Sequence, residues 1–75
     1  MEELVAYIAR ALVDDPQQVR VTRIEGAQAV VLELRVAPAD MGKVIGKEGR
    51  IVNAIRVLVR VSAAREGKRA TLEIV

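Results

Sequence analysis

The chain has 75 residues, enough for one small domain around a single core. At 52% apolar and 29% charged residues and a net charge of +2, it reads as globular and not as a disordered tail. It has no cysteine, which excludes a disulfide framework and a thiolate metal site, and no histidine, which removes the commonest general base and metal ligand.

The start, Met1-Glu2-Glu3, is acidic and lacks the basic segment of a signal peptide. No apolar run approaches the roughly 18 residues that span a bilayer. The expectation is an intracellular, cytoplasmic protein without a membrane anchor. Charge is unevenly spread. Residues 1–16 carry a net −3, residues 17–41 are neutral, residues 42–60 carry +4 and residues 61–75 carry +1. Positive charge is thus concentrated in the third quarter of the chain, where a polyanion would find its footprint.

In chain order, Leu4, Val5, Ile8, Ala9 and Leu12 recur at three- and four-residue steps and predict a helix over 2–14. Glu2 and Glu3 suit its first turn, and Asp14-Asp15-Pro16 stops it. Tyr7 lies off the stripe and is expected to pack at the periphery, not to serve as a base-stacking platform. Val19 and Val21 alternate with Arg20 and Thr22, and Ile24 closes that run. Val30, Leu32, Leu34 and Val36 alternate with Val31, Glu33 and Arg35. This period of two, joined by Glu25-Gly26-Ala27-Gln28, predicts an antiparallel hairpin with one face buried. Ala37-Pro38-Ala39-Asp40 ends the second strand and opens a helix of about two turns, with Met41, Val44 and Ile45 on one face.

Next comes Val44-Ile45-Gly46-Lys47-Glu48-Gly49-Arg50-Ile51-Val52. Two glycines three apart permit a tight turn and a close backbone approach. A turn that opens into a helix also leaves free N–H groups at the helix's positive end, which suit a phosphate. Taken alone, the four residues are better explained as a sharp corner between two helices. After Gly49, the residues Ile51, Val52, Ile55, Leu58, Val59 and Ser62 keep the 3.6 period of a long helix that ends at Glu66-Gly67. Val57 and Val61 widen its apolar arc. A wide core stripe is the preferred account of that width, with a partner surface as the other. A last strand, Arg69 to Val75, points Leu72 and Ile74 inward.

The order is α-β-β-α-α-β, an α+β domain over residues 1–75. Its three-stranded mixed sheet would carry three helices on one face, with a right-handed parallel crossover into the last strand.

A hairpin, a short helix, Val-Ile-Gly-Lys-Glu-Gly-Arg-Ile-Val, a long helix and a parallel strand together resemble a K-homology (KH) domain. The order resembles its type II form, as in small bacterial RNA-binding proteins made of a single KH domain. The resemblance implies that a GxxG loop clamps about four nucleotides of single-stranded RNA. On that reading Gly46 and Gly49 let the backbone meet the phosphates, and Lys43, Lys47 and Arg50 add positive charge. Glu48, of the wrong sign, would point to solvent. Ile45, Ile51 and Val52 would floor a groove for the bases, although Val52 is equally well explained as core. The resemblance also implies a post-transcriptional regulator or RNA chaperone, with no cofactor. It would work as a homodimer or with a second KH-containing RNA-binding protein. Without aromatic stacking, a single groove should bind only at about micromolar strength or weaker.

Other functions fit less well. A nucleotide-binding P-loop needs four residues between its glycines and a Ser or Thr after the lysine; Gly42 and Gly46 are separated by three, and Glu48 follows Lys47. The acidic residues form no convergent pair for catalysis, so no enzyme and no metal site is expected. The alternative that remains is a KH scaffold serving as a protein-interaction module without RNA binding.

Overall fold

Alternation in the second strand organises the molecule. The computed structural model describes residues 1–75. They form α1 (Glu2–Leu12), a 3-10 turn (Pro16–Gln18), β1 (Arg20–Glu25), β2 (Ala29–Arg35), a second 3-10 turn (Pro38–Asp40), α2 (Met41–Ile45), a single turn (Lys47–Gly49), α3 (Arg50–Arg65) and β3 (Arg69–Ile74). β2 lies at the centre of the sheet. It pairs antiparallel with β1, setting Val21 opposite Leu34, and parallel with β3, setting Leu32 opposite Leu72. The α-β-β-α-α-β order and the mixed sheet are those expected.

Every second residue of β2 is sealed: Val30, Leu32 and Leu34 are at most 1% exposed. Helices cover this face, contributing Val5 and Ala9 from α1, Val44 from α2, and Val52, Ile55 and Val59 from α3. Each fully buried Val or Leu adds about 1.5–3 kcal/mol, and these side chains fix how α2 and α3 sit over the sheet. The opposite face, with Thr22, Ile24, Thr71 and Glu73, is open to solvent.

The structure departs from the sequence expectations at several points. α1 stops at Leu12, because Val13 turns extended (φ −91°, ψ 160°) and buries its side chain. The turn at Pro16–Gln18 was not anticipated, since three residues show no periodicity. Tyr7 does not pack at the periphery; it stands largely in solvent, 74% exposed. The widest correction concerns α3. Leu58 is 45% exposed, and Val57 and Val61 are each 52% exposed, so they do not widen the core stripe. With Ala54 they form a separate apolar stripe on the outer side of the helix.

Candidate nucleic-acid interface

Four residues turn the chain between α2 and α3, and three of them have positive φ. Gly46 takes φ 77°, ψ 170°; Glu48 takes φ 58°, ψ 24°; Gly49 takes φ 74°, ψ 14°. The two glycines are needed for different reasons. A β-carbon on Gly46 would collide with Ile51, whereas one on Gly49 would meet Asn53 Nδ2 at 3.5 Å and Val52 Cγ1 at 3.9 Å, both ordinary contacts. Gly49 is thus required by its dihedral and Gly46 by both dihedral and space. Glu48 has no such freedom, and its left-handed conformation costs about 1–2 kcal/mol.

The turn is closed from within: the Gly46 N–H donates to Gly42 O at 2.9 Å and the Gly49 N–H to Gly46 O at 3.1 Å. Lys47 and Glu48 open it, and the first N–H groups of a helical turn have no acceptor inside that turn. Below the loop, Val44 and Val52 anchor the two helices in the core, while Ile45 and Ile51 are half-buried. Val52 is only 6% exposed, so it supports the loop from beneath and offers almost no surface.

The charged residues around the loop differ in how free they are. Lys47 is exposed and makes no ion pair or side-chain hydrogen bond. Glu48 does point to solvent, and its Oε2 lies 3.5 Å from Arg50 Nη2; both side chains are more than two-thirds exposed. Lys43 is engaged elsewhere: its Nζ lies 3.0 Å from Asp14 Oδ2 and 3.4 Å from Asp40 Oδ1. The hydrogen bond to Asp14, more than any other contact, raises the Lys43 pKa. Asp40 itself is buried and accepts the Asp15 N–H at 3.1 Å. Burial pushes its carboxyl upward, but bonds from the Asp15 and Asp14 N–H groups and from Lys43 outweigh this and leave its pKa lowered. The Asp40–Lys43 pair thereby pins the segment that follows α1 to the start of α2, through contacts 25 and 29 residues apart that no local pattern displays.

Other polar residues extend away from the loop. Asn53, beside Gly49, accepts from Arg56 Nη1 at 3.2 Å, and Arg56 Nε donates to the carbonyl of Leu72 on β3 at 3.2 Å. One turn further along α3, Arg60 joins Lys68, Arg69 and Ala70 around an open hollow of about 330 Å³. Asn53, Arg56 and Arg60 were legible only as polar residues off the apolar stripe; the strand they face lies too far along the chain to be inferred from spacing. No group of three or more carboxylate, thiol or imidazole side chains converges, and no helix is long and apolar enough to cross a membrane.

This α2–loop–α3 unit, set on an α-β-β-α-α-β frame, can be compared with known proteins. Residues 2–74 match the family model described as KhpA/KhpB, KH domain. The chain belongs to the KhpA/KhpB KH-domain family. It is 57% identical to a protein named RNA-binding protein KhpA from Caldanaerobacter subterraneus subsp. tengcongensis over 75 residues, the full length of both. It is 51% identical to the protein of that name from Clostridium acetobutylicum, again over the full length of both. With the Treponema pallidum protein of the same name it shares 55% over 74 residues, 99% of this chain and 92% of the relative. No solved structure gives a match. The fold is therefore a type II KH domain.

Proposed function

We propose that this single-domain KH chain binds single-stranded RNA by clamping its phosphate backbone at Gly46–Gly49. Its relatives are named RNA-binding proteins. The observation that carries the mechanism is the loop's backbone: positive φ at Gly46, Glu48 and Gly49 makes a tight turn into α3, and its two glycines bring no β-carbon to the backbone that would meet a phosphate. Lys47, free of any ion pair, supplies the nearest positive charge, and Arg50 supplies a second once Glu48 releases it. Ile45 and Ile51 flank the loop as the apolar surface for the adjoining bases. Lys43, one turn back, is held by Asp14 and Asp40 and would reach a phosphate only on leaving them.

One groove with two or three phosphate contacts is weak, so the chain acts as a pair, as a homodimer or with a second KH-containing RNA-binding protein. The outer stripe Ala54, Val57, Leu58 and Val61 supports this, because nothing within the chain covers it. The role that fits is that of a non-enzymatic, cytoplasmic regulator or chaperone of RNA. The experiment that tests RNA binding is the double substitution Lys47→Asp with Glu48→Asp. It should abolish binding to a short single-stranded RNA while leaving circular dichroism and melting unchanged. Unchanged affinity would instead favour a protein-interaction module.

A further inference from the structure

The edge of the sheet beside α3 presents a chemical pattern that the phosphate clamp does not use. In the ladder between β2 and β3, the Arg69 N–H donates to Gln28 O at 3.2 Å and the Val75 N–H to Leu34 O at 2.9 Å. Backbone groups alternate along a strand, so Ala70, Leu72 and Ile74 turn theirs to the open edge. Arg56 meets this edge. Its Nε donates to Leu72 O, while its Nη1 donates to Asn53 Oδ1, which in turn lies beside Gly49 of the loop. The guanidinium is thus held from two sides, with its Nε end half-buried and its Nη end at the surface.

An arginine has five N–H donors. Two are spent on Leu72 and Asn53, which leaves one on Nη1 and both on Nη2. These sit on adjacent nitrogens of a rigid plane, and such a fork recognises two neighbouring acceptors. Unstacked RNA bases are read on their Watson–Crick and Hoogsteen edges. Cytosine offers O2 beside N3, and guanine offers O6 beside N7. Adenine places an N–H₂ donor beside each ring acceptor on those edges, and uracil has a donor between its two oxygens.

We infer that Arg56 is a specificity-determining residue of the RNA groove, selecting cytosine or guanine against adenine and uracil at the position next to the clamped phosphates. The inference rests on the RNA-binding reading above and adds base choice to it.

The test uses the full chain with fluorescein-labelled eight-nucleotide RNAs made of C only, A only, U only, or alternating G and U, read by anisotropy. The C and GU oligomers should bind at least about five-fold tighter than the A and U oligomers, the discrimination of one arginine fork. Arg56→Lys keeps the charge and loses the fork. It should bring all four affinities within about two-fold of one another while A and U binding and the salt slope stay as in the parent. Asn53→Ala leaves the arginine in place but frees one side of it, and should narrow the preference as well. Equal binding of all four oligomers by the parent, or a preference that survives Arg56→Lys, overturns the inference and leaves the clamp standing. Failure to bind any of them overturns both.

Discussion

Ile51 closes over Gly46: its Cγ1 stands 2.6 Å from where a β-carbon on Gly46 would lie, and its own Cβ stands 2.9 Å away. The contact is made by the branched base of the side chain, which cannot swing aside as a flexible tip could. Gly46→Ala should therefore destabilise the domain by about 2–5 kcal/mol, combining backbone strain with overpacking. In a domain of this size that lowers Tm by at least about 8 °C. Gly49→Ala meets its neighbours only at ordinary van der Waals distances and should cost only about 1–2 kcal/mol. Thermal melts of the two variants check the ranking; equal losses would show that the Ile51 contact is not the cause.

On the proposed clamp, Glu48 would act as a restraint. Its carboxylate lies beside Arg50 and carries the charge that repels phosphate. Glu48→Gln removes the pair and the repulsion while keeping size and backbone. RNA affinity should rise about two- to five-fold, the range of one exposed ion pair. The parent, with two or three phosphate contacts, should show a log–log salt slope of about −1.4 to −2.1, and the variant a slope steeper by about 0.7. Anisotropy titrations between 50 and 200 mM salt measure both; an unchanged slope would mean that Arg50 does not reach the RNA.

The outer stripe of α3 has its own test. Val57→Asp with Val61→Asp changes two side chains that are half in solvent, so the fold should survive. Sedimentation should show the parent heavier than its 8.2 kDa chain and the variant at that mass. If the parent's RNA affinity depends on two linked grooves, the variant should bind long RNA more weakly and short RNA unchanged.

Acid should weaken the sheet at a defined place. Glu25, at the end of β1, accepts from Lys68 and from Arg23, and Arg23 also bonds Glu2 of α1. The Lys68 bond, then the Arg23 bond, holds the Glu25 pKa at about 2, below the ordinary 4.5. The unfolded chain therefore takes up a proton that the folded chain refuses as pH falls. The contribution is complete above about pH 4.5 and disappears toward pH 2. Glu2 and Asp40 are lowered too and act in the same direction. Tm measured across this range should fall for the parent and fall less for Glu25→Gln. Parallel curves would show that this carboxylate does not link stability to pH.

What the sequence revealed follows from the range of each interaction. The alternation of Val30, Leu32 and Leu34 is local and periodic, so the buried face of β2 could be read directly, and the glycine spacing marked the loop. Leu58 was assigned to the wrong side because a broad apolar arc on one helix does not say which flank meets the sheet. Asp40 looked like a first-turn residue because its partners, the Asp14 and Asp15 N–H groups, are 25 or more positions away. Lys43 looked free for the same reason. Arg56 was visible as a charge, but its partner Leu72 becomes its neighbour only after the crossover into β3 is made.

That crossover divides the interface by order of formation. The loop joins α2 to α3 through contacts a few residues long, whereas β3 meets β2 through pairs such as Leu32 with Leu72, forty positions apart. Loop-closure entropy makes distant pairings the slower ones to form. During folding the turn at Gly46–Gly49 can assemble before the strand edge beside Arg56 exists. If the loop grips phosphate and Arg56 selects bases, fraying of the outer strand should cost selection first and leave the grip, so that a partly opened molecule would hold RNA without discriminating among sequences.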